Sequence, residues 1–128
     1  MTTLLWTGVA LLGGSSVLLD AWFSHGLNTT PDVMSSLKTA IYYQQLNSVL
    51  VIISLILAGK SPRFIHILPA WCFTLGIIAF SGGIYGKHLM ALNTGMITPA
   101  GGLITALGWI LLAVSGLGYI QRSRQSGF

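Results

Sequence analysis

The sequence predicts an all-α polytopic membrane protein, a left-handed antiparallel bundle of four transmembrane helices. Three observations carry that expectation. Hydrophobic residues make up 53% of the 128 positions and charged residues only 6%, where soluble domains carry about 25% charge. Six Lys/Arg and two Asp/Glu cannot build a water-facing surface. Four apolar runs, at about 4–23, 31–57, 65–92 and 98–120, each reach the roughly 20 residues that cross a hydrocarbon core of about 30 Å. Three of the four carry small residues at alternating spacings of four and three, the pattern of a close helix–helix seam. The length suits a single domain spanning 1–128.

The first run carries Ala10, Gly14, Val17 and Ala21 at such a spacing, with Gly13, Ser16 and Asp20 as a second stripe beside it. Asp20 is the one acidic residue within an apolar run. A carboxylate deep in lipid is costly, so it is expected near an interface or facing a partner. A polar connection follows, with His25, Gly26, Asn28 and Thr29. Thr30-Pro31-Asp32 is a helix start: the Thr accepts from a free N–H, Pro has none to lose, and Asp meets the positive end of the dipole. The second run begins amphipathically through Val33, Met34, Leu37 and Ile41. It then carries Tyr43, Gln44, Asn47, Ser48 and Ser54 on one side. Amides in hydrocarbon need partners, so this face points into the bundle.

The stretch 58–64, with Gly59, Lys60, Pro62 and Arg63, is a short turn. The third run carries Cys72, Gly76, Ala79, Gly83 and Gly86 at the seam spacing, with Lys87 and His88 at its far end. Asn93 to Met96 link it to the fourth run, which Thr98-Pro99 is expected to start. That run carries Gly101, Thr105, Gly108, Leu112 and Ser115. Gly14, Gly76, Gly83, Gly101 and Gly108 are therefore the candidate packing positions. The basic tail after Ile120 is expected to fray.

The net charge of +4 and pI near 9.7 do not point to nucleic acid, because the basic residues are scattered singly. They read as membrane-flanking charges. Lys60, Arg63, Arg122 and Arg124 fall on one side, and Lys38 and Lys87 on the other, which places both termini in the cytoplasm. The first run lacks a basic leader, so cleavage as a signal peptide is not expected. Cys72 stands alone in an apolar run and reads as a buried thiol.

On the predicted outer side Asp20, His25, Tyr42, Tyr43, Gln44, Tyr85, Lys87 and His88 converge, with Asn47 on the same face of the second helix. These form the candidate polar cluster at an outer mouth. His25, His88 and Asp20 show no HxxxH, CxxC or HExxH spacing, so no metal is expected. No nucleophile elbow and no phosphate-binding Gly loop is present, and no cofactor or enzymatic activity is expected. Leu27-Asn28-Thr29 and Leu92-Asn93-Thr94 each precede a Thr-Pro pair, a faint internal echo.

Several stretches occur in a telling order: Phe23-Ser24-His25-Gly26-Leu27, Thr39-Ala40 with Tyr43-Gln44, Phe80-Ser81-Gly82-Gly83 with Tyr85, Ile97-Thr98-Pro99 with Gly101-Gly102, and Gly108-Trp109. Together they resemble the YgdD-like family of small bacterial inner-membrane proteins of unknown function, which has eukaryotic transmembrane relatives. The resemblance covers essentially the whole chain and implies four transmembrane helices with no assigned activity. That family usually has Phe-Gly-Ala-His-Gly-Leu where this chain has Phe23 to Leu27. It often has a His where this chain has Asn47, which retains a hydrogen-bonding group.

Two functions follow as expectations. The first is a structural or accessory membrane component acting through helix contacts with the bilayer's other proteins, as a homo-oligomer or in a larger complex. The second is a small-solute or proton transporter or channel lined by Asp20, His25, Gln44 and Asn47.

Overall fold

The computed structural model describes residues 1–61 and 63–127; Pro62 of the expected turn and Phe128 of the tail lie outside the described residues. Four spans follow one another, each long and apolar enough to cross a membrane. They are α1 (Thr2–His25), α2 (Pro31–Lys60), a third span over Phe64–Met90, and α5 (Ile97–Gln125). The third span is composite. A 3₁₀ turn (Phe64–His66) leads to α3 (Leu68–Gly76), a wide π-turn (Ile77–Ser81) and α4 (Gly82–Met90). Short connections make successive spans antiparallel neighbours. In their most apolar stretches α2 and the third span are 50% and 44% buried, against 17% for α1 and for α5. The middle two spans are therefore the centre, with α1 against α2 and α5 against the third span.

The two Thr-Pro starts behave differently. Thr30 Oγ1 accepts the Val33 N–H at 3.5 Å, with Pro31 in the first turn. The fourth span starts earlier than Thr98. The Ile97 N–H bonds the Thr94 carbonyl at 2.7 Å, so the helix is under way by Ile97 and no side chain caps it. Pro99 then falls among the first four residues, whose N–H groups have no partner within the helix.

The third span ends at Met90, short of Leu92. Ala91 takes a left-handed conformation, φ 53°, and the Leu92 N–H returns to the Gly86 carbonyl at 3.0 Å. The tail expected to fray is helical to Gln125. Its anchor is Arg122, whose guanidinium donates to the Ser61 hydroxyl and, at 2.9 Å, to His66 Nε2. A guanidinium has no lone pair to offer, so His66 accepts through Nε2 and keeps its proton on Nδ1. Lys60 adds a cation over the Tyr119 ring, 5.5 Å from its centroid.

Two apolar clusters hold the ends of the bundle. Leu5, Val9, Leu50, Val51, Leu55, Ala70 and Phe73 form one; Phe23, Leu37 and Ile41 form the other. Between third span and α5 the contact runs through small residues. The buried residues of α5 are Gly101, Thr105, Gly108 and Ser115. A Cβ on Gly76 would overlap Thr105 Oγ1, and one on Gly83 would overlap Thr98 Oγ1. On Gly101 it would lie 2.8 Å from the Ala79 carbonyl carbon, and on Gly108, 3.0 Å from the Phe73 ring.

Gly14 departs from this pattern. It was grouped with the packing glycines, yet nothing lies within 4 Å of where its Cβ would be. Ala10, Val17 and Ala21 of the same stripe are exposed with it. The neighbouring Gly13 and Ser16 face inward instead; a Cβ added to Gly13 would stand 3.7 Å from Ser48 Cβ. Leu5, Val9, Ser16 and Phe23 are the buried residues of α1 and fix its rotation. Consecutive helical residues differ by about 100°, so the stripe one position over turns to lipid.

Candidate functional site

α2 places its polar side chains one turn apart on a single buried face, and these meet donors and acceptors from both neighbours. Gln44, 3% exposed, donates through Nε2 to the Leu12 carbonyl at 2.7 Å and to Ser15 Oγ at 3.0 Å on α1. Its Oε1 accepts from the Tyr85 hydroxyl of α4 at 2.7 Å. One amide thus links three helices with its oxygen and nitrogen both engaged, as a dry interior requires. Ser81, ending the π-turn, donates to the Ala40 carbonyl at 2.7 Å. Ser48 and Ser54 donate to carbonyls of their own helix.

Asn47 is less well served. It is 1% exposed, and its amide nitrogen stands 3.5 Å from Thr105 Oγ1, the outer limit of a hydrogen bond. Its Oδ1, like Ser115 Oγ, has no partner among the described residues.

The expected outer cluster therefore separates into levels. Gln44 and Asn47 lie near the middle of α2 rather than at its end. The Gln44 and Tyr85 side chains join with Ser15, which the sequence reading did not single out. Nearer the helix ends, the Asp20 carboxylate pairs with Lys38 Nζ at 2.5 Å, and Lys38 also donates to Ser24. Lys38 had been read as a flanking charge only; nothing in the spacing of 18 residues marks the pair. The two side chains are 40% and 45% exposed, a surface bridge worth about 0–1 kcal/mol. Tyr43 takes no part in either group. It stacks edge-on with Phe80 and Tyr42, at centroid separations of 5.0 and 5.4 Å.

His25 is the exposed last residue of α1 and makes no side-chain hydrogen bond within the described residues. Among those residues no three His, Cys, Asp or Glu side chains come together. Lys87 and His88 belong to a third group. With Ser35, Ser36 and Thr39 of α2, and Asn93, Thr94 and Thr98 around the start of α5, they line a cavity of about 420 Å³. The hydroxyl residues of this cavity were not legible as site residues, because they come from two stretches more than 50 residues apart in the sequence.

Comparison with known proteins agrees with a membrane protein. Residues 19–102 match the family described as "Protein of unknown function (DUF423)". A UPF0382 membrane protein of Haemophilus influenzae is 33% identical over 111 residues, covering 84% of this chain and 88% of the relative. One from Schizosaccharomyces pombe is 34% identical over 122 residues, covering 86% and 98%. One from Staphylococcus haemolyticus is 31% identical over 114 residues, covering 87% and 93%. No solved structure matches.

Proposed function

This chain belongs to the DUF423 family of membrane proteins of unknown function, and from that premise we propose that it is a structural or accessory membrane component, not an enzyme, working through lateral helix contacts. It acts as a homo-oligomer or beside a larger membrane complex, as a single four-helix domain. The observation that carries the reading is the outward stripe of α1, Ala10, Gly14, Val17 and Ala21. These small residues are not used by the chain's own packing, and small outward residues let a second helix backbone come close. The polar middle of the bundle supports it too, since Gln44 and Asn47 are turned onto neighbouring helices.

The test uses Gly14→Leu and Ala21→Leu. Each is expected to shift blue-native migration to a smaller species while leaving the thermal melting of the isolated chain within about 0.5 kcal/mol, the usual range for substitutions outside the core. Unaltered migration of both variants removes the reading.

A second reading, a small-solute or proton transporter or channel, is favoured by the polar cavity at one end and by the Asp20–Lys38 pair at that level. It requires flux in sealed proteoliposomes that Asp20→Asn abolishes; proteoliposomes without flux of any tested solute count against it. For either reading we place the protein in the bacterial inner membrane with both termini in the cytoplasm. The end that gathers Lys60, Arg63 and Arg122 is then the inner one, and reporters fused at either terminus test it.

A further inference from the structure

The cavity between the start of α2, the end of α4 and the first turn of α5 is not used by the reading above. Its volume of about 420 Å³ lies within the range of about 300–1,000 Å³ of small-molecule sites. Lys87 and His88 line it and no carboxylate does; Asp20 is engaged by Lys38 elsewhere. The start of α5 reaches it through Thr98, with Thr94 and Gly95 just ahead of the helix. In the first turn of α5 the Ile97 and Ala100 N–H groups bond the Thr94 and Met96 carbonyls and Pro99 has none, which leaves the Thr98 N–H free at the positive end of a 29-residue helix. The last turn of α4 brings partial negative charge to the same place, about half an elementary charge, which the full charge of Lys87 outweighs.

Thr94 is an independent indication. It is only 9% exposed, borders the cavity, and its side chain bonds to no described residue. Its hydroxyl keeps accessible surface, unlike the buried Asn47 Oδ1 and Ser115 Oγ. Its methyl faces Gly86, 3.3 Å from where a Cβ there would stand, which leaves the hydroxyl for the cavity. Ser36 and Thr39 differ: each gives its proton to a carbonyl of α2. Among the described residues the lining donors left free are Ser35, Lys87, His88, Asn93, Thr94 and Thr98, an acceptor-seeking set around a cationic centre.

We propose that this cavity binds a phosphate group, as a monoester or diester. Two sources share that chemistry, an anionic phospholipid headgroup and a soluble phosphate compound. Phosphate oxygens suit a lysine point charge, hydroxyl donors and a helix N-terminus together.

The experiment follows melting of the full chain in dodecyl maltoside by tryptophan fluorescence, at fixed ionic strength. The probes are inorganic phosphate and dioctanoyl phosphatidylglycerol. A saturable rise in melting temperature is expected, with the apparent Kd raised at least tenfold by Lys87→Gln and by Thr94→Val, and less than twofold by Lys38→Gln. A response to the lipid alone assigns the headgroup, and a response to phosphate alone assigns a soluble compound; either supports the site. No saturable rise with either probe overturns it, as does a rise that Lys87→Gln leaves unchanged. Lys87 is exposed, so its variant carries the test should Thr94→Val fail to fold.

Discussion

Replacing Gly101 by Ala tests how closely α5 lies on the third span. The added Cβ would stand 2.8 Å from the Ala79 carbonyl carbon and 2.9 Å from Ala79 Cβ, and would overlap the Phe80 nitrogen. Carbon atoms rest at about 3.5–4.0 Å, and two of these three obstacles are backbone, which no rotamer change can move. The helices must part by roughly 0.5–1 Å, which forfeits a quarter to a half of each affected van der Waals contact. Overpacking of this kind costs about 1–3 kcal/mol. Alanine's better helix propensity returns about 1 kcal/mol, so the net loss is about 0–2 kcal/mol. Gly116→Ala supplies the reference: it makes the same chemical change on α5 where no atom lies within 4 Å. Propensity cancels between the two variants, and their difference, about 1–3 kcal/mol, is the packing contribution. Reversible unfolding in mixed detergent–dodecyl sulfate micelles, followed through the four tryptophans, reads it. Variants that differ by less than about 0.5 kcal/mol, or Gly101→Ala as the more stable of the two, would refute the reasoning.

Tyr85→Phe strands Gln44 Oε1, and Gln44→Met strands the Tyr85 hydroxyl; a double-mutant cycle on the same unfolding assay is expected to give a coupling of about 1 kcal/mol, within the range for polar pairs in membranes. Asn47→Leu removes an amide whose oxygen is unpartnered, so it is expected to be neutral or stabilising by about 1 kcal/mol; a loss above about 2 kcal/mol would show that the oxygen is satisfied. Ala91→Gly relieves a left-handed residue at φ 53°, and the relief of about 1–2 kcal/mol exceeds the entropic cost of glycine, about 0.5–1 kcal/mol. A melting temperature unchanged or lowered in that variant would contradict it.

The helical class and its four spans were legible because membrane insertion depends on local composition, which any window of the sequence carries. The stripe from Gly101 to Ser115 is the buried face of α5 for the same reason: one continuous helix keeps its phase. Gly14 shows where that reasoning stops. Two small stripes lie side by side on α1, and only contacts with Ser48 and the core around Leu50 select which one faces inward. The Asp20–Lys38 pair, the Arg122 anchor and the Thr94 cavity were not legible. Each joins residues far apart in the chain, and single polar residues near helix ends look alike whether they meet lipid headgroups or one another. The π-turn depends likewise on Ser81 reaching Ala40, 41 residues away.

That wide turn gives the third span a phase jump. An i→i+5 turn holds one residue more than the helix on either side of it. Closing Ile77–Ser81 into an unbroken α-helical rod at constant chain length would swing everything beyond it by about 100°. Tyr85 would leave the Gln44 amide, and Lys87 and His88 would turn from the start of α5, although neither composition nor hydropathy would register the change. Chain length in those five positions is thus a coordinate of the molecule: a homologue one residue shorter there would run α-helical throughout and keep α4 in its present phase.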